Sequence, residues 1–111
     1  MITIKINIVH EEIYWDDKRN ITAIEIKLKS LTAKEENDEN YVHRLVAIIS
    51  SAFHQTTLFA DVGGSCSFSK NKQRPEIVNA QVSIEKPLSR MDVVRFIETF
   101  QKNIDESKLF V

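Results

Sequence analysis

The segment His10-Glu11-Glu12 sets an imidazole beside two carboxylates, residue types that move protons or hold a metal ion. On an extended chain successive side chains alternate, so His10 and Glu12 share a face while Glu11 points away. No spacing rule brings His43 or His54 to them, and His43, next to Arg44, reads as a solvated or boundary residue. Without a motif, a surface cluster is the plainer reading. Ser65-Cys66-Ser67, following Gly63-Gly64, resembles a nucleophile setting. Cys66, however, falls in phase with Val62 and Phe68, which points to a buried, inert thiol. The glycine pair lacks the Lys-Ser/Thr of a phosphate loop, and no helix starts after it. The expectation is a protein that is not an enzyme and carries neither cofactor nor metal.

Lys70, Lys72 and Arg74 place three positive charges on one loop, 69–75, where they could touch phosphates. Recognition of RNA on an open sheet also calls for aromatic residues on which bases stack. Phe59 alone is available for that, amid Asp, Ser, Asn and Gln. A nucleic-acid-binding protein is therefore the alternative reading rather than the first.

Fifteen basic and sixteen acidic residues nearly cancel, so a net charge of -1 gives no global pull towards nucleic acid or anionic membrane. The 111 residues, 42% of them hydrophobic and 28% charged, suit one globular domain spanning 1–111 with its own core. A lone Cys66 makes no internal disulfide, which favours a reducing, cytoplasmic setting. The N-terminus alternates apolar and polar residues instead of forming a signal-peptide core. No apolar run approaches the ~18 residues of a membrane span.

The elements that must position these groups follow from periodicity. Ile2, Ile4, Ile6 and Ile8 alternate with polar residues as one strand, and 21–29 return as a second after the turn DDKRN at 16–20. Thr32 with Glu35, or Asp38 alone, offers a helix cap. The first helix is expected over 41–54, with Tyr41, Leu45, Ile48, Ile49, Ala52 and Phe53 inward and an end near His54 or Gln55. A third strand is expected from 57 to 68, with Leu58, Ala60, Val62, Cys66 and Phe68 on one face. Gly63-Gly64 there marks a bulge, a bend or a close backbone approach. Val78, Ala80, Val82 and Ile84 line a fourth strand. Ser89 with Asp92 opens a second helix, 90–104, burying Val93, Phe96, Ile97, Phe100 and Ile104. The order is β-β-α-β-β-α: an α+β domain with a four-stranded, mainly antiparallel sheet and two helices on one face. Its other face would carry polar residues, among them Lys5, Glu25, Lys27, Asp61, Ser65, Asn79, Gln81 and Ser83.

The first hairpin is the least settled element. A turn centred on Lys18 pairs Ile8 with Leu28, His10 with Ile26, Glu12 with Ile24, Ile13 with Ala23 and Trp15 with Ile21. Ile13, Trp15, Ile21 and Ala23 then project from the helix-free face as an apolar patch rimmed by Asp16, Asp17, Lys18 and Arg19. A one-residue shift inverts this arrangement, and a bulge near Val9-His10 would return Trp15 to the core. Exposed patches of Trp and Ile bind partners. The functional expectation is a protein-binding module, a small inhibitor or immunity-type protein that neutralises another protein through Ile13, Trp15, Asp16, Asp17, Arg19 and Ile21. A second copy of the chain is the other candidate for that patch, making a homodimer.

Overall fold

The computed structural model describes residues 5–30, 39–70, 73–74 and 77–107. Ile2, Ile4, the Thr32/Glu35 and Asp38 cap candidates and Lys72 lie outside the described residues. The elements run β1 (Ile6–Asp16), β2 (Ile21–Ser30), α1 (Glu39–Ala60), β3 (Gly64–Lys70), β4 (Ile77–Ile84) and α2 (Arg90–Glu106). The four strands form one antiparallel sheet in the order β1-β2-β4-β3, which is the expected α+β arrangement. The helices pack on each other over one sheet face, α1 towards β3 and α2 towards β1. Among the described residues no helix is long and apolar enough to cross a membrane.

Alternation explains the central strands. Ile24, Ile26 and Leu28 of β2 stand beside Val82, Ala80 and Val78 of β4, and all six are buried. Above them, Phe53 of α1 meets Phe96 and Phe100 of α2 edge-to-face, with ring centroids 6.1 and 6.0 Å away, and Phe96 lies 6.3 Å from Phe100. Such tilted contacts suit the aromatic quadrupole. α2 begins where its cap stands: the Ser89 hydroxyl accepts the Asp92 N–H at 3.1 Å. Val93, Phe96, Phe100 and Ile104 form its buried stripe.

α1 runs past its expected end near Gln55. The stretch 57–60, assigned from sequence to the third strand, is helical, and β3 starts only at Gly64. Thr56 and Thr57 have strand-favouring side chains, but here their hydroxyls donate back to the Ala52 and His54 carbonyls at 2.6 and 2.9 Å. Asn103 of α2 then donates to the buried Thr56 oxygen at 3.0 Å, so tertiary contact favours the extra turn. Asp61 stops the helix in a left-handed conformation, φ 54. Its N–H reaches the Leu58 carbonyl and the Val62 N–H reaches that of Thr57, the paired bonds of a Schellman motif. Asp61 therefore belongs to a helix end and not to the open sheet face, and Leu58 and Phe59 lie on a helix, exposed. Gly63-Gly64 does mark a close approach: a Cβ at Gly64 would lie 2.9 Å from the Ser83 carbonyl oxygen.

The hairpin register departs from the continuous pairing at one point, at the bulge near Val9-His10 that the sequence left open as the alternative. Ile8 pairs with Leu28 as expected, but the next pair is His10 with Lys27, and Val9 is bulged out, 52% exposed. Beyond it Glu11 stands opposite Ile26, Ile13 opposite Ile24, Trp15 opposite Thr22 and Asp16 opposite Ile21. The continuous register would have driven Glu12 onto the helix side against Ile24. The extra residue instead turns Ile13 inward beside Ile24 and moves Glu12 to the open face, while Glu11, still exposed, takes the place opposite Ile26.

Candidate functional site

The bulge divides the sequence-derived patch between two faces. Ile13 and Trp15 stand on the helix side and Ile21 and Ala23 on the open side, so these four do not form one surface. Asp16, Asp17 and Arg19 remain together at the hairpin tip. One Asp16 carboxylate oxygen accepts the backbone N–H groups of Lys18 and Arg19 at 3.1 and 3.2 Å, and the other lies 3.7 Å from the Arg19 guanidinium. Asn20, at φ 54, supplies the left-handed residue that closes the turn.

Trp15 crosses over the β4–α2 connection. Its indole N–H donates to the Leu88 carbonyl at 2.8 Å, yet the side chain stays 43% exposed. The same connection is held from below by Thr22, a fully buried residue that sequence reading passed over. Its hydroxyl donates to the Lys86 carbonyl and accepts the Leu88 N–H, both at 2.9 Å. The available signal was its phase: Thr22 shares the inward face with Ile24 and Ile26, and a buried hydroxyl there demands partners.

Leu88 also lines a groove of about 260 Å³ between the end of α1 and the start of α2. Phe59, Val62 and Phe96 give it apolar walls, and Lys86, Arg95 and Asp92 add two positive charges and one negative. Phe59, named from sequence as a stacking residue for the open sheet, instead stands here with 83% of its surface exposed. Trp15, Leu88 and the Phe59 groove thus form a chain of neighbouring apolar groups at one end of the molecule.

His10, Glu12 and Tyr14 form a row by alternation, and the bulge places that row on the open face. His10 Nε2 lies 3.1 Å from one Glu12 carboxylate oxygen, and the Tyr14 hydroxyl donates to the other at 2.5 Å. The Tyr14 hydrogen bond, then that from His10, holds the Glu12 carboxyl below its ordinary range. Reciprocally, the Glu12 carboxylate pushes the Tyr14 hydroxyl up to about 12. His10 and Glu12 do share a face, as alternation required, but it is the open one. The row is solvated along its length, and among the described residues no three His, Cys, Asp or Glu side chains gather as a metal site.

Cys66 faces inward from the edge strand opposite Val82. Burial pushes its thiol up to about 12, the direction that disfavours a nucleophilic thiolate. Of the basic cluster, Lys70 ends β3 and Arg74 lies in the following loop. Tyr14, the exposed aromatic residue of the open face, belongs to β1 on the opposite sheet edge from Lys70. Among the described residues, Tyr14 is therefore not placed as a stacking surface beside Lys70. No protein-family model matches the chain, and neither a curated protein nor a solved structure matches it.

Proposed function

We propose that this chain is a non-enzymatic binding module that engages another protein through the Trp15 end of the molecule. One observation carries the reading: the Trp15 ring is tethered by its N–H to Leu88 while much of its apolar surface stays in solvent, beside a groove with apolar walls. An aromatic side chain fixed in advance loses little freedom on binding, which favours its use as an anchor. Asp16, Asp17 and Arg19 form a charged rim able to select the partner's orientation. A small domain that covers a partner's surface in this way acts as an inhibitor or immunity-type protein, in the cytoplasmic setting favoured by an unpaired cysteine.

The test is comparative affinity capture from the source cells with the native chain, Trp15→Ala and Phe59→Ser, all confirmed as folded. The reading expects a protein retained by the native chain and lost with both variants. Identical retention by all three would refute it.

A further inference from the structure

We propose that the chain forms a two-fold symmetric dimer through the open edge of β3, extending the sheet across the axis. This surface lies on the opposite sheet edge from Trp15, and the proposal is independent of the hairpin reading.

The hydrogen-bond phase shows which groups are on offer. The Glu85 N–H donates to the Gly63 carbonyl at 2.9 Å, so Gly63 and Glu85 form a bonded pair of the antiparallel ladder. Bonded and non-bonded pairs alternate along such a ladder. Ser65, Ser67 and Ser69 therefore bond to β4, while Gly64, Cys66, Phe68 and Lys70 direct their N–H and C=O groups away from the sheet. Among the described residues no strand lies beyond β3 to receive them.

The two edges of this sheet are treated differently. On β1, the Gln101 side chain bonds the Ile8 N–H and the Ile6 carbonyl at 2.7 and 2.9 Å, Val9 bulges, and charged Glu11, Glu12 and Asp16 follow. Those are devices that block strand addition. β3 has no bulge, and its sequence GSCSFSK has no proline and no charge before its last residue.

Charge identifies the occupant as a second copy. Near a two-fold axis a surface meets itself, so any charge there faces its own kind. From Leu45 to Ser69 the only formally charged side chain is Asp61, in a chain that is 28% charged. That stretch contains β3 up to Ser69, short of its terminal Lys70, and the part of α1 above it: Phe53 and Thr57 lie 3.4 and 3.7 Å from where a Gly64 Cβ would stand. Further round the helix towards solvent come Ser50, His54 and Ala47, with no Asp, Glu, Lys or Arg among them.

The register follows. With the axis at Ser67, Cys66 exchanges backbone bonds with Phe68 of the second copy, and Gly64 with Lys70 of the second copy. Each lysine meets a glycine. The Cys66 and Phe68 side chains, partly exposed on the helix side, cover one another across the join. Ser67 stands opposite itself on the open face.

Sedimentation of the full chain tests this. We expect dimers with a dissociation constant on the order of 10 µM, as befits a small interface. Ser67→Lys and Ser67→Asp should each weaken association about 10-fold or more, because like charges meet at the axis. Mixing the two variants should restore a dimer containing one of each. As a second measurement, Ser67→Cys in a Cys66→Ser background should cross-link on oxidation, since Cα atoms of a non-bonded pair lie about 4.5 Å apart. A native chain that stays monomeric at 200 µM (about 20 times the expected constant) overturns the proposal. So do single variants that associate like the native chain, or a mixture that does not recover.

Discussion

The indole N–H of Trp15 donates to the carbonyl of Leu88 at 2.8 Å, tying the far end of β1 to the connection that launches α2. The bond fixes the ring without burying it, and the consequences for stability differ from those of a core tryptophan. Trp15→Ala should cost about 1–2 kcal/mol in urea denaturation, one hydrogen bond plus part of the ring's burial. Trp15→Phe should cost about 1 kcal/mol. A loss above about 3 kcal/mol for Trp15→Ala would place the ring in the core.

Phe100 has no exposed surface and touches both other rings of the aromatic trio. Phe100→Ala should cost roughly 3–5 kcal/mol through the cavity left behind. Combined with Phe53→Leu, the two changes should be non-additive by about 0.5–1.5 kcal/mol. Strict additivity in a double-mutant cycle would deny the ring contact.

Tyr14 should ionise late. The Glu12 carboxylate raises its hydroxyl from the ordinary 10.0 to about 12, so this bond's stabilising effect is complete below pH 10 and fades as pH rises through 12. The matching effect on Glu12 has the opposite sense: it is present at neutral pH and fades as pH falls through the lowered carboxyl value. Ultraviolet titration should show a tyrosinate step near pH 12 that Tyr14→Phe abolishes and Glu12→Gln moves back towards 10. An unchanged titration in Glu12→Gln would exclude the bond.

The two neighbouring glycines should respond unequally to alanine. At Gly64 the new methyl would meet the Ser83 backbone oxygen at 2.9 Å, while at Gly63 it would meet the tip of the Glu85 side chain, which can swing away. Thermal denaturation should show Gly64→Ala losing about 1–3 kcal/mol through overpacking and Gly63→Ala within about 0.5 kcal/mol of the native chain. Equal losses would contradict the strand placement.

Much of the fold was legible because burial imposes a period. β2, β4 and α2 keep one uninterrupted phase each, and Ser89 with Asp92 marks the start of α2 in the sequence itself. The end of α1 was not legible: Thr56, Thr57 and Phe59 have strand-favouring side chains, and the Asn103 contact that supports the helix comes from 47 residues away. The hairpin surface was half legible. The residues at the tip were found, but Val9 is apolar and fits an alternating strand as readily as a bulge. Only the competition between Ile13 and Glu12 for the place beside Ile24 decides the matter, and that is settled in three dimensions.

The Val9 bulge also makes β1 tolerant of changes in chain length. It is the one residue there that faces no partner on β2. If it were lost, Ile8 and His10 would become neighbours in an ordinary ladder, and every later side chain would keep its face. The same loss within β4, bonded on both sides, would invert a core strand. Insertions and deletions among descendants of this sequence should therefore collect at the bulge, letting the Trp15 end diversify while the core stays as it is.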